Sequence, residues 1–167
     1  MSRPAILFST TQGNIKVLLR EDAAPNHCRV MKALVQSGAY NGCCFYRAEP
    51  GFVVQGGLRA ASGETKQSPH GGIPLEYRLP NRRGTVTMAR WEDPTSATSE
   101  FFINLGENTH LDRTSNSGWG LGFTVWGEVI EGMDVAERIA QLPTQIQGGL
   151  KMLRAPVTIN SAQLCTV

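Results

Sequence analysis

Residues 45 to 57 read Phe45-Tyr46-Arg47-Ala48-Glu49-Pro50-Gly51-Phe52-Val53-Val54-Gln55-Gly56-Gly57. Pro50-Gly51 is a bend, because proline presets the first corner of a turn and glycine tolerates the left-handed geometry of the second. The bend folds a short strand at about 44–47 back onto another at about 52–56. It sets one cation, one amide and aromatic rings across that bend, a combination with chemical content.

On the N-terminal side, Ala5–Ser9 and Asn14–Arg20 read as a strand pair around the turn Thr11-Gln12-Gly13, with Ile15, Val17 and Leu19 alternating with Lys16 and Arg20. Pro25–Gly38 reads as a helix, with proline in its first turn, glycine at its stop, and Val30, Met31, Leu34 and Val35 as its buried stripe. Beyond the bend, short strands are expected at about 84–89, 100–104 and 123–129. A helix at about 133–141 carries Met133, Ala136, Ile139 and Ala140 on one face, and a last strand runs from Val157 to Leu164. Such a set predicts a mainly β fold: a closed eight-stranded antiparallel barrel capped by two α-helices. A closed barrel has no edge to protect, which suits a chain with few charges. No linker, repeat or charge block divides the sequence, so residues 1–167 read as one domain. The stretch from Leu58 to Arg83 is long for a loop, and loops of that length are usually functional or surface decoration.

Composition narrows the function classes. The chain has 167 residues, enough to bury a full core. Its 18 glycines and 9 prolines exceed the average share of roughly 12% but stay below the roughly 25% of disordered chains. Lys and Arg number 16 against 14 Asp and Glu, and charged residues are only 18%. Binding to nucleic acid by bulk charge is therefore not expected, and Arg78, Arg82 and Arg83 read as solvated positions rather than an RNA site. The four cysteines, Cys28, Cys43, Cys44 and Cys165, fit neither a disulfide framework nor a CxxC metal site. Cys43 and Cys44 are adjacent, so they face opposite sides of a strand and act as small buried groups. No apolar run spans a membrane, and Ala5-Ile6-Leu7-Phe8 is too short for the core of a signal peptide. A reducing, cytoplasmic location is the expectation, whether free or within a cytosolic, ciliary or nuclear assembly. Gly118-Trp119-Gly120-Leu121-Gly122 lacks the spacing of a phosphate loop, and no GxSxG, HExxH or P-loop lysine occurs. His27 and His70 carry no assigned role. No cofactor or metal is expected.

A second informative block runs Arg83-Gly84-Thr85-Val86-Thr87-Met88-Ala89-Arg90 and resumes at Ser96-Ala97-Thr98-Ser99-Glu100-Phe101-Phe102-Ile103-Asn104. With these residues the chain resembles the cyclophilins, the barrel-fold peptidyl-prolyl cis-trans isomerases. The family writes Phe-His-Arg-x-x-Pro-Gly-Phe-x-x-Gln-Gly-Gly for the first block and Met-Ala, then Gln-Phe-Phe-Ile, for the second. The likeness continues through Leu111-Asp112, Val125-Trp126-Gly127-Glu128-Val129 and Glu131-Gly132-Met133, from about residue 5 to 164. The wording around Thr85–Arg90 is most similar to bacterial-type and some plant or algal single-domain members.

The resemblance implies an isomerase for Xaa-Pro bonds in peptides and unfolded proteins. Rotation about such a bond crosses a barrier of about 18–20 kcal/mol and takes tens to hundreds of seconds unaided. No nucleophile or metal is required, only a donor aimed at the prolyl nitrogen and an apolar socket for the ring. Arg47 matches the family's catalytic arginine, a permanently charged fork of donors. Gln55 matches the amide that orients it. Phe52, Phe102 and Leu111 match the proline socket, Val53 stands where methionine is usual, and Ala89, Arg90 and Phe123 belong to the adjoining peptide groove.

Departures from the family pattern sharpen the expectations. Tyr46 replaces the histidine beside the arginine. His110 stands where tryptophan or phenylalanine is common, which predicts a weaker socket and weakened affinity for cyclosporin. Trp91 replaces a small residue and either narrows the groove, partly replaces the missing ring, or covers a loop. Glu100 replaces a substrate-facing glutamine; paired with Arg47 it would either pre-orient the guanidinium or hold it away from the prolyl nitrogen. These substitutions also admit a rival reading, a weakly active or inactive proline-peptide scaffold within a larger eukaryotic assembly. Without such an assembly, a monomer is expected.

Overall fold

The computed structural model describes residues 2–167. Its strands are β1 (Pro4–Thr10), β2 (Gly13–Leu19), β3 (Cys43–Glu49), β4 (Val53–Ala60), β5 (Thr85–Met88), β6 (Phe101–Asn104), β7 (Val125–Glu131), β8 (Thr144–Gln147) and β9 (Leu150–Thr166). Around the sheet they follow the order β1-β2-β7-β5-β6-β4-β3-β9, and β9 pairs again with β1. Eight antiparallel strands thus close a barrel, as expected, and β8 lies outside the ring on the first residues of β9.

Closure rests on the 17 residues of β9. Its C-terminal half pairs with β1, its middle with β3, and Leu150–Leu153 with β8. The expected last strand, Val157–Leu164, is therefore only part of the real one. Gly148 and Gly149 join β8 to β9 with φ of 58° and 79°, a two-residue hairpin turn that needs left-handed backbone at both positions. The hairpin leaves one sheet edge that a bare barrel would lack. That edge, Thr144-Gln145-Ile146-Gln147, is short and mostly polar, which limits it as a template for pairing.

Two α-helices cover the barrel, α1 (Pro25–Gln36) and α2 (Met133–Ala140). Val30, Met31, Leu34 and Val35 of α1 are buried, as their spacing predicts. On α2 the buried set is Val135, Ala136, Ile139 and Ala140, with Met133 only half-buried against the core. Both helices join the barrel interior in one core, at whose centre Phe101 lies against the rings of Phe8, Tyr40, Phe45 and Trp126 at centroid distances of 5.4 to 6.0 Å. Cys43 enters this core, whereas Cys44 joins Tyr46 and Met152 in a separate cluster, the opposite-face placement expected of neighbours on a strand. No helix among the described residues is long and apolar enough to cross a membrane.

Helix α1 has no side-chain cap of its own at Ala24. Glu76, from the long segment after β4, supplies one: it accepts from the backbone N–H groups of Asn26 (3.1 Å) and His27 (2.8 Å) and meets His27 Nδ1 at 2.6 Å. These groups are first-turn donors that the helix cannot satisfy itself. Further bonds from Ile73 to Ala97 and from Leu75 to Pro94 bind the long segment to the loop before β6.

Candidate active site on the barrel wall

Alternation decides what each strand shows to solvent. On β4, Val54 and Leu58 point into the core, so Val53, Gln55 and Gly57 point outward. On β6, Phe101 and Ile103 point inward and Phe102 outward. Strand β3 breaks the alternation. Phe45 and Ala48 both enter the core although three positions apart, because a bulge lets Phe45 face Gly56 while Arg47 faces Gln55. The extra residue turns Tyr46 and Arg47 to the outer wall together, a re-aiming that bulges commonly provide. The register then aligns Arg47, Gln55, Phe102 and Thr87 in one row across β3, β4, β6 and β5.

The turn foreseen at Pro50-Gly51 closes with Phe52 N–H donating to Glu49 O at 3.0 Å, and Gly51 takes φ of 75°. It brings Phe52 back over the row, where its ring lies 5.8 Å from the Arg47 guanidinium carbon. His110 packs against that ring at 5.4 Å. Leu111 follows His110 in the chain and accepts the Phe123 N–H at 3.1 Å, and the Phe123 ring meets Phe102 edge-on at 6.2 Å. Contacts therefore run from Arg47 through Phe52, His110, Leu111, Phe123, Phe102 and Gln55 back to Arg47. Apolar and aromatic side chains with one cation at the edge make up this circuit. Phe52, Leu111 and Phe123 are half-buried, Phe102 is buried and His110 is exposed.

Phe52 and Leu111 are tied by a polar network that the sequence reading missed. Asn104 Nδ2 reaches Asn81, Thr85 and Thr87; Asn108 Nδ2 donates to Asn104 Oδ1 (2.7 Å) and Phe52 O (3.0 Å); Asn81 Nδ2 donates to Leu111 O (3.2 Å). It fixes the two loops that carry Phe52 and Leu111. Asn81, next to the arginines read as solvated positions, is buried. The neighbouring arginines are tied down as well, Arg78 to Asp22 O and Arg83 to Leu105 O and the Glu137 carboxylate.

Arg47 Nη1 donates to Gln55 Oε1 at 3.0 Å. Its Nε is buried without a partner, one of two such side-chain nitrogens among the described residues. A buried donor left unpaired costs roughly 1–3 kcal/mol, so its retention calls for an explanation. Glu100 does not pair with Arg47. Its carboxylate accepts from the Tyr46 hydroxyl (2.7 Å) and the Leu58 backbone N–H (2.9 Å), and Gln55 Nε2 donates to the same hydroxyl (3.1 Å). Glu100 sits opposite Gly57, beyond direct reach of the arginine, which corrects the expectation of an ion pair. Burial, and then the Glu100 carboxylate, push the Tyr46 phenol well above the usual range, so it stays a donor. The Arg59 guanidinium lies over the Tyr46 ring at 4.9 Å, a contact with no sequence signal of its own.

Arg90 is not a free groove residue. Its guanidinium donates to the carbonyls of Gly122, Trp91, Glu92, Gly118 and Trp119 and lies over the rings of Trp119 and Phe123. All its donors are engaged, and its work is to fold the loop that presents Phe123. Trp91 is 76% exposed. Val53 is buried on the outward row and Ala89 is half-buried, its N–H bonded to Glu100 O. Among the described residues no group of His, Cys, Asp and Glu has the make-up of a metal site.

A closed barrel with an arginine beside a cluster of aromatic rings on its outer wall fits the cyclophilin class of peptidyl-prolyl isomerases. The chain belongs to that family: the model for cyclophilin type peptidyl-prolyl cis-trans isomerase/CLD matches residues 5–164. It is 38% identical to peptidyl-prolyl cis-trans isomerase A of Dickeya dadantii, over 95% of this chain and 83% of that one. It is 34% identical to isomerase B of Escherichia coli K12, over 86% and 88% respectively. A solved Cryptosporidium parvum cyclophilin, determined in the presence of the dipeptide Ala-Pro, superposes with a TM-score of 0.79 at 23% identity, covering 96% of this chain and 98% of that one. The activity is therefore peptidyl-prolyl cis-trans isomerisation.

Proposed function

We propose that Arg47 is the electrostatic catalyst of this isomerase and that Phe52, Phe102 and Leu111 form the proline socket, with His110 and Phe123 at its rim. The observation that carries this is the guanidinium itself: bonded at one terminal nitrogen to Gln55, packed on Phe52, and paired with no carboxylate. As the Xaa-Pro bond twists, resonance is lost and the prolyl nitrogen gains a lone pair. A donor already in place stabilises that geometry and not the planar ground state, which is the condition for faster turnover. Gln55 holds the arginine and faces the peptide backbone, and the ring is desolvated against the aromatic walls. Glu100 and Arg90 act behind these groups.

Substrates are proline-containing peptides and unfolded proteins. The chain works as a monomer: the barrel strands are paired on both sides and the single extra edge is short. Its four unpaired cysteines accord with a reducing compartment. The substitutions that raised a scaffold reading leave Arg47 free of any carboxylate, so the catalytic reading is favoured. A protease-coupled assay on a proline peptide tests it: Arg47→Ala lowers kcat/KM by about 10²-fold or more, whereas an unchanged rate would return the scaffold reading.

A further inference from the structure

Tyr46 and Glu100 set this chain apart from the family pattern, and they touch although 54 positions apart. Their bond is the last link of a chain that starts at Arg47. Arg47 donates to Gln55 Oε1, Gln55 Nε2 donates to the Tyr46 hydroxyl, and Tyr46 donates to Glu100 Oε1. Every donor points the same way, and a carboxylate, which only accepts, ends the series.

Direction matters because a primary amide has two ends of similar shape and opposite character. Turned over, Gln55 would present its NH2 to the guanidinium, donor against donor. Tyr46 prevents this: with its proton committed to Glu100, its oxygen offers only lone pairs, so Gln55 must give it the NH2 and keep the carbonyl for Arg47. Glu100 is itself held. Its Oε2 accepts the Leu58 N–H, and the carboxylate lies where a side chain on Gly57 would collide with it. A glutamine at position 100 cannot satisfy both partners as an acceptor. Either its NH2 opposes the Leu58 N–H, or it donates to Tyr46 and frees the phenol proton to reverse the series.

We propose that Glu100 and Tyr46 are positioning residues for the isomerisation: the carboxylate, through Tyr46, locks Gln55 in the orientation that holds Arg47 by Nη1 and leaves Nη2 unbonded. This rests on Arg47 being the catalytic donor. The test measures kcat and KM by exchange NMR on an Ala-Pro peptide for wild type, Tyr46→Phe, Glu100→Gln, the double variant and Arg47→Ala, with the Gln55 side-chain amide followed in ¹⁵N spectra. Each single variant is expected to lower kcat about three- to tenfold with KM within about twofold, and the double variant to lose no more than the worse single, as for groups acting in series. The Gln55 amide signals shift in all three. Tyr46→Phe leaves the Glu100–Leu58 bond intact and reports on orientation even if Glu100→Gln fails to fold. Wild-type kcat and unshifted Gln55 signals in Tyr46→Phe, with Arg47→Ala inactive, would overturn the relay alone. Full activity in Arg47→Ala would overturn both the relay and the assignment beneath it.

Discussion

Arg47 carries five N–H donors, and its role depends on how few are engaged. Arg90, in the loop after β5, is the counter-example, its guanidinium consumed by backbone carbonyls. Both arginines stand in the motif-bearing blocks, and only contacts separate the proposed catalyst from the staple. His110 is the other residue whose identity matters. Its ring stacks on Phe52 at the rim but offers less apolar surface than an indole. His110→Trp is therefore expected to tighten cyclosporin binding by about two- to tenfold, the range of one added aromatic contact; a fluorescence titration with unchanged affinity would remove position 110 from the account. Arg47, Gln55, Phe52, Phe102 and Leu111 were legible because they stand in the motifs by which the chain resembles the cyclophilins; the register then shows Arg47, Gln55 and Phe102 in one row across paired strands. The Tyr46–Glu100 contact was not, since it depends on a bulge in β3 and on the absence of a side chain at Gly57.

Among the elements, β1 to β7 and both helices were readable from alternation, helical spacing and turn residues, with ends off by a few positions. Gly148-Gly149 was a hairpin signal that went unread, because the residues around it, Thr144–Leu150, are too polar to look like strands. The long segment after β4 had no periodicity to read, yet through Glu76 it caps α1. Burial holds the His27 imidazole below its ordinary value of 6.5, the Glu76 contact notwithstanding. Burial acts to raise Glu76, but its bonds to His27 and the helix N–H groups prevail and keep it below 4.5. The sign follows from proton uptake. Below pH 6.5 the unfolded chain protonates His27 while the folded chain resists, so stability falls as pH drops, and Glu76 adds a second loss below 4.5. Thermal melts are expected to show a Tm that declines from pH 7 to pH 5, and His27→Gln to flatten that decline. A Tm rising toward pH 5 would contradict it.

At the scale of the whole molecule, one core joins the barrel interior to both helices, and the chemistry sits on the outside of the same wall. The interior aromatics fix the strands, the bulge turns Arg47 and Tyr46 outward, and the asparagine network sets the loops that carry Phe52 and Leu111. Core packing also governs the thiols. Burial pushes Cys28 up to about 12 and Cys44 up to about 11, and raises Cys43 as well. A thiol reagent added to the native protein is expected to modify Cys165 alone, near the chain end, and all four cysteines after unfolding; rapid native labelling of Cys44 would show that the outer cluster opens. The central claim is that this wall accelerates bond rotation through one cation without needing that cation to hold the peptide. Exchange NMR on a proline peptide, at concentrations spanning KM, tests it directly by separating rate from binding in wild type and Arg47→Ala. The prediction is a fall of about 10²-fold in kcat with KM changed by no more than about threefold. An unchanged kcat with peptide binding lost would contradict it and make Arg47 an anchor, not a catalyst.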